Sequence, residues 1–99
     1  MKTVQLREYV IVDGLWSDYL DWWQNKLAPM RRDYGFTIEF AFGDPSTSRF
    51  TWAVSLPGDQ AEFERIDEEY KVSPLRDAVF AGQPKWTSAM QLSYTEVYA

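Results

Sequence analysis

What most constrains this chain is the order in which its hydrophobic period changes. Apolar residues alternate with polar ones over residues 3–12 and then recur at spacings of three and four over 15–34. Alternation returns over 36–43 and 49–56, helical spacing after 59, and alternation once more over 88–98. A period of two belongs to strands and a period near 3.6 to helices. The order is therefore β-α-β-β-α-(α)-β, the split βαβ or ferredoxin-like pattern. It predicts an α+β domain: a four-stranded antiparallel sheet with two main helices on one face. A length of 99 residues implies one domain, residues 1–99.

Local signals mark the boundaries. Asp13-Gly14 stops the first strand. Trp16, Tyr19, Leu20, Trp23, Leu27, Met30 and Tyr34 form the helical stripe, and Pro29 inside it predicts a kink or break near Ala28. Of the pair Trp22-Trp23, one ring is expected in the core and the other near the surface. The runs FTIEFAFG and RFTWAVSL flank a polar turn and read as a hairpin. Phe36, Ile38, Phe40 and Phe42 are expected on one side of it. Asp59 with Glu62 suggests a capping box, and Ser73-Pro74 opens a second short helix. The acidic run Glu62, Glu64, Asp67, Glu68 and Glu69 reads as a solvated helix face.

This pattern leaves one sheet face without cover, yet the strands show no clean apolar and polar split. The rows Phe36-Ile38-Phe40-Phe42 and Phe50-Trp52-Val54-Leu56 are backed by Ala41 and Ala53. Burying one large apolar side chain contributes about 1.5–3 kcal/mol. Leaving several in water forgoes on the order of 10 kcal/mol, as much as a whole domain's stability. A second copy placed sheet to sheet removes the problem, so a homodimer is expected.

Composition narrows the chemistry. Neither cysteine nor histidine is present, which excludes disulfides, thiolate chemistry and the commonest general base and metal ligand. A net charge of -5 disfavours nucleic acid or an anionic membrane as partner. No metal-ligand spacing, phosphate-binding glycine loop or nucleophile beside a base is found, so hydrolase, kinase and nucleotide-binding readings lack support. The chain enters a strand pattern at Thr3 without a leader-like segment, and a cytoplasmic location is the default expectation. The aromatic share of 17% exceeds what a small core needs and calls for a pocket or interface.

The segments VQLREYVIVDG, WSDYLDWWQNKLAPMRRDYG and RFTWAVSLPGD resemble the NIPSNAP-like branch of the dimeric α/β-barrel superfamily. The resemblance covers about residues 4–74. It implies a subunit whose sheet pairs with its twin around a small barrel. Relatives include cofactor-free monooxygenases, decarboxylases, dehydratases, cyclases and isomerases, and several use a cavity histidine that this chain lacks.

If the strand-one face bearing Gln5, Arg7 and Tyr9 lines such a barrel, Arg7 offers a fixed positive fork for a carboxylate, enolate or phenolate. Tyr9 and Tyr94 are then phenolic donors. Glu39, set among rings, would have a raised pKa and act as general acid or base. The alternative is that Arg7 pairs with Glu39 or Glu8 and only holds strand register. Gln5, Phe40, Phe50, Trp52 and Trp86 are candidate substrate contacts, and equally candidate dimer core. Two functions follow: a cofactor-independent monooxygenase, cyclase or isomerase acting on an apolar aromatic or polyketide-like molecule, or a non-catalytic dimer that binds a hydrophobic ligand or serves as a structural interaction module. No cofactor and no metal are expected in either.

Overall fold

The computed structural model describes residues 1–98. Strand β1 (Lys2–Ile11) lies second from one edge of a four-stranded sheet with order β2-β3-β1-β4, where β2 is Thr37–Asp44, β3 is Arg49–Pro57 and β4 is Thr87–Thr95. All three pairings are antiparallel. The last strand ends at Thr95, short of the expected residue 98.

Register assigns the faces, because residues directly opposite one another share a side. Gln5, Arg7 and Tyr9 face Val54, Trp52 and Phe50 on β3, and Tyr94, Leu92 and Met90 on β4. This is the face the helices cover. The other face carries Val4, Leu6, Glu8 and Val10 with Thr51, Ala53 and Ser55 beside them.

Strand β2 departs from the expected alternation. Its register slips between Ile38 and Phe40, leaving Glu39 unpaired in a bulge. One extra residue inverts every side chain beyond it. Ile38, opposite Val54, therefore points to the helices, as does the buried Phe36. Phe40 and Phe42, opposite Ala53 and Thr51, point to the open face, where their rings stack at 4.9 Å. The single row of four aromatic and aliphatic residues is thus split between two faces.

The helix after β1 is not broken by Pro29. It runs as α1 (Trp16–Trp22), a π-helical turn (Trp23–Leu27) and α2 (Ala28–Tyr34), with helical backbone at both junctions. The Ala28 N–H reaches back five residues to the Trp23 carbonyl. Pro29, which has no N–H to give, comes directly after this wide turn as the second residue of α2. The wide turn rotates the stripe, so Trp22 and Trp23 are both buried rather than one. The Trp22 ring nitrogen donates to the Val79 carbonyl at 3.1 Å. Gly35, at φ 119°, ends α2 in the left-handed conformation glycine alone adopts freely.

Helix α3 (Gln60–Lys71) begins at Asp59, whose side chain accepts the Glu62 N–H, and α4 (Pro74–Phe80) begins at Ser73, which accepts the Arg76 N–H. Both caps match the sequence expectation. The core lies between the sheet and these helices and absorbs most of the aromatic surplus. Trp23 meets Phe50 and Trp52 edge-on at 5.1 and 5.3 Å, and Tyr19 meets Phe50 and Trp86 likewise. Among the described residues no helix is long and apolar enough to cross a membrane.

Candidate functional site

A cavity of about 80 Å³ opens between the sheet and the helices. The sheet contributes Arg7, Tyr9, Trp52 and Leu92. Helix α2 and the turn before it contribute Arg31 and Leu27, α3 contributes Asp67, Tyr70 and Lys71, and α4 contributes Arg76 and Phe80. Two broader surface grooves, of about 880 and 710 Å³, lie elsewhere, one beside Lys2, Tyr94 and Glu96 and the other between Trp22, Val79 and Trp86, and their charged side chains are exposed. The small cavity is where the chemistry concentrates.

Spacing along β1 sets its first group. Residues two apart point the same way, so Gln5, Arg7 and Tyr9 line up. Arg7 Nε donates to the Tyr9 hydroxyl at 2.7 Å and Arg7 Nη1 donates to Gln5 Oε1 at 2.5 Å. Tyr9 accepts with its oxygen and keeps its own hydrogen for another acceptor. The Arg7 guanidinium lies 5.3 Å from the Trp52 ring. Among the described residues no carboxylate forms an ion pair with Arg7 or Arg76.

The second group comes from the helices. Arg31 is only 3% exposed, yet its Nε and Nη1 are buried without a hydrogen-bond partner. Its guanidinium packs on Tyr70 at 4.1 Å, Phe36 at 4.6 Å and Trp52 at 5.4 Å. Asp67 Oδ1 stands 3.9 Å away, too far for a hydrogen bond, and its other oxygen is 3.5 Å from Lys71. Loss of hydration lowers the Arg31 pKa to about 10, which leaves it cationic at neutral pH. Burial raises the Tyr70 pKa, and the Tyr70 hydroxyl and the Trp52 ring nitrogen also lack partners. Arg76 sits over the Phe80 ring at 4.1 Å.

The sequence candidates divide. Arg7, Tyr9 and Trp52 line the cavity, with Gln5 steadying Arg7. They point at this subunit's own helices, not at the face left for a twin. Glu39 lies on that opposite face, where it accepts from Ser55 and from Lys2. It neither meets Arg7 nor has a raised pKa: the Ser55 hydrogen bond, then Lys2, lowers it. Arg7 is correspondingly no partner of Glu39. Phe40 is on the open face with Phe42. Phe50 and Trp86 are core residues. Tyr94 packs on Phe63 at 5.4 Å and borders the broad groove beside Lys2, away from Arg7's cavity.

Sequence reasoning missed Arg31, Asp67, Tyr70 and Arg76 as a group. A signal existed for two of them. Arg31 follows Leu27 by four residues, on the buried stripe. Asp67 follows Phe63 by four and precedes Tyr70 by three, so it shares their inward side and does not belong to the solvated acidic face.

No known family profile matches the sequence, and no curated protein matches it. Solved structures do. An uncharacterized NIPSNAP domain protein from Burkholderia xenovorans is 14% identical, with 98% of this chain and 95% of that one covered at a TM-score of 0.81. A NIPSNAP family protein from Agrobacterium tumefaciens is 12% identical, with 97% and 92% covered at 0.80. A candidate antibiotic biosynthesis monooxygenase from Bacteroides thetaiotaomicron is 11% identical, with 99% and 90% covered at 0.71. The chain has the ferredoxin-like α+β fold of NIPSNAP-domain proteins, shared with monooxygenase-type relatives. At these identities the likeness extends to the fold alone.

Proposed function

We propose that this chain is a homodimeric small-molecule protein whose ligand, an apolar ring bearing an oxygen, places that oxygen in the cavity between the sheet and the helices with its ring at the mouth. Arg7 and Tyr9 act on that oxygen without a bound cofactor. One observation carries the reading. Arg7 aims a guanidinium, and Tyr9 an uncommitted phenol hydrogen, at a cavity walled by Trp52, Phe80, Leu27 and Leu92. A positive fork with a phenolic donor stabilises an oxygen that gains negative charge in enolisation or oxygenation. Glu39 takes no part, because it lies across the sheet. Binding without turnover is the simpler function of the same site, and the likeness to a candidate monooxygenase favours the enzymatic one.

The open face supports the dimer. It presents the Phe40-Phe42 stack with the half-buried Leu6 and Val10, and Phe42 is 66% exposed. A mass of twice 11.6 kDa in sedimentation at micromolar concentration is expected, and a mass of one chain refutes the dimer.

The site is tested with phenol as probe. Saturable quenching of tryptophan fluorescence is expected, because Trp52 borders the cavity. Arg7→Met should weaken it at least tenfold and Tyr9→Phe severalfold, with the fold intact by circular dichroism. Unchanged affinity in both variants, or no saturable binding to the native chain, removes the assignment.

A further inference from the structure

We infer that the helix side of this cavity is a recognition site for an organic carboxylate, whose acid group docks against Arg31 and Arg76 while its apolar body rests on the ring walls. The inference rests on the cavity being a small-molecule site and adds the charge class of its ligand.

The charge distribution is the first support. The chain carries a net -5, yet the cavity is lined by four cations, Arg7, Arg31, Lys71 and Arg76, against one carboxylate, Asp67. That local excess runs against the sign of the whole molecule. Asp67 does not cancel it: the carboxylate is shared between Arg31 and Lys71 at 3.9 and 3.5 Å. Arg7 bonds only to neutral acceptors, which leaves its charge uncompensated.

The second support is independent of the count. Arg31 is almost wholly buried, and two of its guanidinium nitrogens have no acceptor. A buried charge is normally paired and its donors satisfied, since otherwise the lost hydration is not replaced. Beside it, the Trp52 ring nitrogen can only donate, and the Tyr70 hydroxyl is also free. The missing element is an acceptor with several lone pairs and negative charge. A carboxylate supplies both and fits the planar arginine fork.

Size and wall chemistry select among oxyanions. The cavity of about 80 Å³ takes an acid group and the atom or two behind it. The body then leaves past Leu92, which is 44% exposed, beside Phe80. Apolar walls at Leu27, Phe80 and Leu92 contribute nothing to inorganic phosphate but do hold a carbon framework.

Calorimetric titration of the full chain at pH 7 with benzoate, benzamide and inorganic phosphate tests this. Benzoate should bind at least tenfold more tightly than benzamide and more tightly than phosphate. Arg31→Met should abolish benzoate binding with the fold intact by circular dichroism, and Arg31→Lys, which keeps the charge without the fork, should restore part of it; a merely structural arginine would leave benzoate affinity unchanged in both. Arg76→Gln, at a half-buried position, should weaken benzoate severalfold and keeps the test decisive if Arg31→Met does not fold. Benzamide binding as well as benzoate overturns the carboxylate class but leaves the phenol site standing. Phosphate binding as tightly as benzoate overturns the organic ligand. Absence of benzoate binding at millimolar concentration, or its survival in Arg31→Met, overturns the inference outright.

Discussion

The two faces of the sheet are made from alternate residues of the same strands, yet they treat charge in opposite ways. On the open face Glu39 has Lys2 at 3.0 Å and the Ser55 hydroxyl as well, with water at hand. On the helix side, where water is excluded, Arg31 has no hydrogen-bonded acceptor and Arg7 has no carboxylate. Stability alone would reverse this arrangement, since pairing matters most where hydration is lost. The open face pairs its charge, and the helix side holds cations that its own packing does not pair.

The comparison breaks first on bulk. Trp52→Ala should cost about 3–5 kcal/mol in urea denaturation, because the ring is wholly buried under the helices. Phe42→Ala, on the open face, should change the stability of the isolated chain by less than about 0.5 kcal/mol. Equal losses would mean that the faces are not packed differently. Arg31→Met together with Asp67→Leu sharpens the charge contrast: thermal or urea unfolding should show a gain of about 1–4 kcal/mol, as when a buried ion pair is replaced by apolar groups. A loss of that size would mean that Asp67 pairs effectively with Arg31. Ser73→Ala removes the cap of α4, the helix that carries Arg76 and Phe80 to the cavity, and should cost about 1 kcal/mol.

The smallest effect concerns Glu39. Its folded pKa lies below the ordinary 4.5, first through Ser55 and then through Lys2. The stability it contributes is therefore present above 4.5 and lost as pH falls through the lower folded value. Glu39→Gln should be slightly less stable than the native chain at pH 7, and the gap should close below pH 4.5. A gap that persists in acid would show that the carboxylate charge is not what Ser55 and Lys2 stabilise.

Much of the site was legible along β1. Gln5, Arg7 and Tyr9 share a face by alternation, and Trp52 lies opposite Arg7 by register. The helical half was legible only in the inward spacing of Arg31 and Asp67, and Arg76 gave no such sign. The arginine pair in RRDY looks like an exposed helix end, and an aspartate within EFERIDEEYK looks solvated. Only the contacts of α2 and α3 with each other and with the sheet decide which of those charges turn inward.

Element order, the β2–β3 hairpin and the helix caps were determined by the sequence itself, because they depend on neighbours a few residues apart. The tertiary structure decided three things. The bulge at Glu39 sends Phe40 and Phe42 to the open face. The π-helical turn before Pro29 keeps one helix continuous and buries both tryptophans. The helices, laid over the face that bears Arg7, bring Arg31 and Arg76 to it from 24 and 69 residues further along. In the first two, a shift of one residue reverses or rotates what points inward. In the third, charges distant in sequence meet only when apolar burial closes the layers.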